Sequence, residues 1–248
     1  MRFFDANCRI GRGIRLAPGG IETAADLLKV TATFDIERAL VHATESRTYD
    51  PLTGNEQLTR RLAGYENLEP CWVVLAPDPA GSHDQAAYVE KAVASGVRAM
   101  WAFNGPAMYH FPLTDWMCGD LLAALECHRM PLFIEALASP WSEVLELCLA
   151  HPALPVVCVR PKYREARWVY ALLRETPNFH FTFDFFAVHR CIEDICKRFG
   201  PERLIFASDL PDHSPAVPIG MVTYAGVDDE SKALIAAGNL ERLLGGVQ

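Results

Sequence analysis

Six polar or charged side chains stand where short apolar runs end. Asn7 and Arg9 follow FFDA, Glu135 follows PLFI, Arg160 follows LPVVCV, Asp184 follows FHFTF and Asp209 follows LIFAS. A carboxylate at the tip of an apolar strand is costly to desolvate unless something there needs it. The competing use of such an aspartate is local, as an Asx-turn or a helix cap, and one tip alone does not separate the two. Several tips together do, because polar groups converging on one mouth are the pattern of a binding site. Carboxylates there can move protons, and the planar fork of an arginine binds both oxygens of a carboxylate or phosphate. The candidate catalytic residues are Asp209 and Glu135. The candidate substrate-binding residues are Asn7, Arg9 and Arg160 at strand ends, with Arg47, His110 and His213 from adjoining loops.

These groups need elements to position them. Apolar runs at 3–6, 38–43, 71–76, 97–102, 131–134, 154–159, 179–183 and 204–208 read as strands buried on both faces. Between them, helical patterns are expected over 21–34, 56–65, 84–95, 115–128, 141–150, 164–175 and 189–199, with a last one over 228–244 interrupted near Gly238-Asn239. Strands joined through helices must be parallel, and eight such units across 248 residues match one (β/α)8 TIM barrel. A doubly wound sheet would show a glycine-rich phosphate loop after the first strand, and Gly11-Arg12-Gly13 lacks the third glycine. The chain is thus expected to form one α/β barrel domain over 1–248. Polar residues at the C-terminal strand ends would share its mouth. Alternation puts Asn7 and Arg9 on one face and Cys8 on the other.

Composition excludes several classes of partner. The formal charge is −8 and no run of Lys and Arg is concentrated anywhere, which argues against nucleic acid and anionic membrane surfaces. The first residues lack an apolar signal region and no apolar run is long enough to span a bilayer, so the cytoplasm is the expected location. Eight cysteines are scattered without a CxxC pair, and most sit in apolar runs as reduced core residues. There is no G-x-S-x-G elbow, no Walker loop and no H-E-x-x-H.

The stretch GPERLIFASDLP at 200–211 resembles the eighth-strand signature of the amidohydrolase-related TIM barrels. AGNLERLLG near the C-terminus is similar to that family's closing motif, and FDANCRIG to its first-strand D-x-H-x-H-x-G. The resemblance covers nearly the whole chain. It implies a barrel that hydrolyses C–N or C–O bonds, or decarboxylates aromatic acids, around one or two divalent metals. The family's metal is held by the two histidines of strand one, histidines ending strands five and six, and the aspartate ending strand eight. Only that aspartate survives here, as Asp209, while the other positions fall on Asn7, Arg9, Glu135 and Arg160.

Asn is a poor metal ligand, and Arg brings a positive charge that cannot be removed. No family-type metal and no other cofactor are therefore expected. Two readings stand. In one, Arg9 and Arg160 hold a small anionic molecule while Asp209 activates water without metal, as in the superfamily's metal-independent lactonases. In the other, the charges pair with one another and the barrel is an inactive binding or scaffold protein. A homo-oligomer is compatible with either.

Overall fold

The structure is a computed structural model that describes residues 1–13, 20–78, 80–136 and 138–248. Its strand segments are β1 (Phe3–Ile10), β2 (Ile36–Ala43), β3 (Leu68–Pro70), β4 (Trp72–Val73), β5 (Met100–Ala102), β6 (Leu132–Glu135), β7 (Val156–Val159), β8 (Phe179–Thr182) and β9 (Leu204–Ile205). All pairings are parallel, in the orders β1-β2-β3 and β4 through β9. Only Cys71 separates β3 from β4. Its N–H donates to the Val41 carbonyl at 2.7 Å, and that of Trp72 donates to Ala99 at 3.2 Å, so one strand bonds neighbours on both sides. At the other junction the Ala6 N–H reaches the Phe206 carbonyl at 3.0 Å, Arg9 N–H reaches Leu210 at 2.9 Å, and Cys8 bridges Leu210. These bonds join the last strand to the first, giving the (β/α)8 barrel that the strand–helix alternation predicts.

The helices start where the sequence supplies caps. Thr23 accepts from the Asp26 N–H ahead of Ala24–Thr33, and Asp50 accepts from Leu52 and Thr53 ahead of Pro51–Leu62, with proline at the first helical position. Two helices appear where the sequence reads as connection. Thr44–Thr48 carries Arg47 directly after β2, and Ala216–Thr223 follows the last strand. Gly54 lets the helix Pro51–Leu62 lie against Thr44–Thr48, since a Cβ there would stand 2.5 Å from the Ser46 nitrogen.

The strands are apolar on both faces because each face has its own core. Inside lie Phe4, Ala6, Leu40, Val73, Trp101, Phe133, Val157, Ile205 and their neighbours. Trp101 stacks on Phe103 at 5.0 Å and on Phe133 at 5.6 Å, filling the barrel axis. Outside, Cys8, Ile10, Val41 and Ala43 pack with Leu27 and Leu58 from the helices, and a larger cluster continues around the ring.

β1 runs four residues beyond its expected end at Ala6, because Arg9 and Ile10 continue the pairing with His42 and Ala43. It also carries an irregularity. Asp5 pairs with Ala39 but Cys8 pairs with Val41, so three steps on β1 oppose two on β2. One extra residue in a strand is a bulge. Without it Phe4 and Ala6, which face inward, would put Cys8 and Ile10 inward too. With it Cys8 and Ile10 face the helices, and Asn7 and Arg9 turn to the mouth. The bulge's peptide is anchored by Asp5, whose Oδ1 accepts from the N–H groups of Asn7 (3.1 Å) and Ser208 (3.0 Å) and whose Oδ2 accepts from the Ser208 hydroxyl.

Candidate functional site

The mouth is organised around Asp209. Both it and Arg160 adopt left-handed backbone at their strand tips, with φ of 62° and 59°. Non-glycine residues pay roughly 1–3 kcal/mol for such conformations, which persist where surrounding contacts over-determine them. Here the Arg160 N–H is held by Thr182 Oγ1 at 3.0 Å. The Asp209 carbonyl accepts from the N–H groups of Asp212 (2.9 Å) and His213 (3.1 Å).

Three donors converge on the Asp209 carboxylate. Asn7 Nδ2 donates to Oδ1 at 2.9 Å, Arg160 Nη1 to Oδ2 at 2.8 Å, and His213 Nδ1 lies 2.9 Å from Oδ2. A carboxylate has about four acceptor positions, so one position on Oδ1 remains among the described residues. Because the carboxylate only accepts, His213 Nδ1 is the donor in that bond. The His213 ring stands edge-on to Phe185 at 4.6 Å and is half exposed.

Arg160 joins the two acids, since its second terminal nitrogen donates to Glu135 Oε1. Arg47 Nη2 lies 3.6 Å from the same oxygen, and its guanidinium sits over the Phe103 ring at 4.9 Å. Burial lowers the Arg160 pKa, but Asp209 and Glu135 outweigh it and hold the guanidinium above its ordinary value. For Arg47 burial prevails over the attraction of Glu135, and its pKa is lowered.

Of the sequence candidates, Asn7, Glu135, Arg47, Arg160, Asp209 and His213 thus form one connected network. Arg9 is at the mouth but outside it: Nη2 pairs with Asp212 at 2.7 Å and Nη1 donates to Thr44 Oγ1 at 3.2 Å. His110 is exposed, has left-handed backbone (φ 49°) and makes no hydrogen bond or ion pair to this network among the described residues. Asp212 and Thr44 went unmarked as site residues, and the only signal for Asp212 is its place three residues after Asp209 in the same turn.

Under the network lies His42, buried against Trp101 (5.0 Å) and Phe103 (5.4 Å), with Nε2 unpartnered among the described residues. Burial first, then the charges of Arg47, Arg9 and Arg160, keep it neutral. Cys8 is fully buried on the opposite face, with its thiol pushed up by burial and by Asp5, which makes it inert. All eight cysteines are free thiols.

These residues do not fit a family-type metal. The guanidinium of Arg160 and the amide of Asn7 occupy both oxygens of the one carboxylate a metal would need. Among the described residues no group of three or more His, Cys, Asp or Glu side chains is placed to hold a metal ion. Nor, among them, is any helix long and apolar enough to cross a membrane.

A closed parallel ring with its polar groups at the C-terminal strand ends is a TIM barrel. The solved structures it resembles carry that fold. A 5-carboxyvanillate decarboxylase from Sphingomonas paucimobilis superimposes with a TM-score of 0.71 at 14% identity, covering 100% of this chain and 99% of that one. A candidate amidohydrolase from Staphylococcus aureus gives 0.75 at 15% identity, covering 99% and 100%. A probable 2-pyrone-4,6-dicarboxylic acid hydrolase from Acinetobacter baumannii, with citric acid bound, gives 0.71 at 14% identity, also covering 99% and 100%. No family model matches the sequence, and no curated protein matches it.

Proposed function

We propose that this chain is a divergent amidohydrolase-type hydrolase that cleaves a small carboxylated ester or lactone without a metal. The observation that carries the reading is the Asp209 carboxylate, fixed by three donors with one acceptor position left. A water bound at that position is oriented by a base that cannot rotate away. The Arg160 guanidinium, held between Asp209 and Glu135, would be the fixed cation that steadies the oxyanion formed when water adds to the carbonyl. Glu135 keeps Arg160 and Arg47 together, and Arg9 offers the substrate's own carboxylate a partner beside Asp212. The superimposed barrels named for decarboxylation and for hydrolysis of a pyrone dicarboxylate support a hydrolase or lyase on small carboxylated molecules.

The test is turnover of 2-pyrone-4,6-dicarboxylate and of para-nitrophenyl hemisuccinate by gel-filtered protein of known metal content. Turnover should persist in chelator and vanish in Asp209→Asn. Activity lost to chelator and regained with zinc would overturn the metal-free mechanism. Anion binding without any turnover would favour the binding-protein reading, which the internal pairing of the mouth arginines also suits.

A further inference from the structure

A second acid stands beside this network. Asp184 lies two residues past the end of β8. Phe179, Phe181 and Phe183 pack into the helix-facing core, so alternation turns His180, Thr182 and Asp184 to the barrel interior. Thr182 holds the Arg160 N–H, which ties this tip to that of β7. Both carboxyl oxygens of Asp184 are buried, and among the described residues neither makes a hydrogen bond of good geometry, although the Thr182 hydroxyl is near enough to favour its charged form. Buried polar groups are rarely left so, and each exception calls for a physical reason.

The charged neighbours explain which form it takes. Asp209 from beyond β9 and Asp5 from β1 repel a charge on it, while Arg160 and the Cys158 thiol on β7 both respond to it. Burial first, with those like charges, pushes its carboxyl up to about 7 against the Thr182 hydroxyl and its own N–H, which favour the charged form, so much of it carries a proton at neutral pH. An interior carboxylic acid whose proton has no well-aligned acceptor among the described residues is poised to give it to a ligand.

We propose that Asp184 is the proton donor of this site, working opposite Asp209. The proposal rests on the hydrolase reading above. Asp209 takes a proton from water as the water oxygen bonds to the carbonyl carbon. When the bond from that carbon to the ring oxygen breaks, its electron pair stays on the oxygen, which receives the Asp184 proton. The products are one carboxyl and one hydroxyl group. Asp209 is left protonated and Asp184 ionised, and solvent carries the proton back, so water is the only co-reactant.

Leaving groups separate this role from a structural one. An alkoxide needs a proton to depart and a para-nitrophenolate does not. Asp184→Asn keeps the shape and should lower kcat/KM on a carboxylated γ-butyrolactone by about 100-fold or more, the scale of general acid catalysis. On para-nitrophenyl hemisuccinate the loss should stay below roughly fivefold, because no proton transfer is removed. The unaltered chain should lose lactone turnover as pH rises through about 7, a limb missing in Asp184→Asn. Asp184→Glu, which keeps the acid, should recover part of the lactone activity. Equal losses on both substrates, or no alkaline limb, would overturn the assignment. If the unaltered chain turns over neither probe, the hydrolase reading falls and takes this one with it.

Discussion

Arg160→Met is the most informative perturbation of the mouth. The substitution keeps most of the side-chain length and removes the charge that links Asp209 to Glu135. Breaking a fully buried pair leaves a lone charge and costs about 3–5 kcal/mol, whereas a surface pair contributes at most about 1 kcal/mol. Here the side chains of Arg160 and Glu135 are about one quarter exposed (25% and 23%) and that of Asp209 only 10%. The orphaned acids also keep other donors: Asn7 and His213 on Asp209, and Arg47 near Glu135. The expected loss therefore lies between the limits, at about 2–3 kcal/mol. For a chain of this size that lowers Tm by roughly 4–12 °C. Urea unfolding at pH 7 reads the loss, and double-mutant cycles with Asp209→Asn and Glu135→Gln apportion it, each expected to show coupling above about 0.5 kcal/mol. A loss under about 0.5 kcal/mol with no coupling to either acid would refute the network as a mechanical unit.

Further outcomes follow from other groups. Burial raises the Asp5 carboxyl from 3.8 to about 6, against the bonds from Ser208 and Asn7 that favour its charge. The folded state thus binds this proton more tightly than the unfolded chain does. Stability from this group should fall as pH rises from about 4 to 6 and then level off, by about 3 kcal/mol, and Asp5→Asn should remove that slope in a series of denaturation curves. His151 behaves in the opposite direction from burial alone. Burial lowers its pKa, but Asp115 at 2.7 Å and Glu126 at 2.8 Å prevail and raise it. Its contribution is full below pH 6.5 and lost as pH rises through the folded value, so the Tm gap between the unaltered chain and His151→Gln should narrow toward pH 9. Arg9→Met should raise KM for carboxylated substrates with little change in kcat, since Arg9 touches Asp212 and Thr44 rather than Asp209. An equal fall in kcat would place Arg9 at the reacting atoms.

The barrel was legible because its signals are local. Each strand of the barrel includes or adjoins a short apolar run, and Asp50 and Asp84 mark helix starts with their own side chains. The tips of β6, β7 and β9 could be named for the same reason, since a polar residue ending an apolar run is visible in the chain. What could not be read is where long side chains end. Arg9 and Arg160 look equivalent in sequence, yet one reaches Asp212 and the other Asp209 and Glu135. That choice depends on left-handed backbone at Arg160 and Asp209, which neither residue type announces. His110 was grouped with the site by its loop, but the loop turns it to solvent. Arg47 lies 3.6 Å from Glu135 because a short helix, which the sequence reads as connection, aims it there.

The bulge at Ala6–Asn7 has a consequence for how this barrel can change. It divides β1 into two reading frames: Phe4 and Ala6 serve the interior packing in one, Asn7 and Arg9 serve the mouth in the other. Substitutions in the first half can therefore be selected for fit, and those in the second half for chemistry, without either constraining the other's phase. Straightening the bulge with every residue kept would merge the frames. Cys8 and Ile10 would swing into the mouth, while Arg9 would be driven into the apolar layer against Leu27. A ligand set that looks edited residue by residue could thus be exchanged wholesale by a one-residue slip in the pairing of β1 with β2.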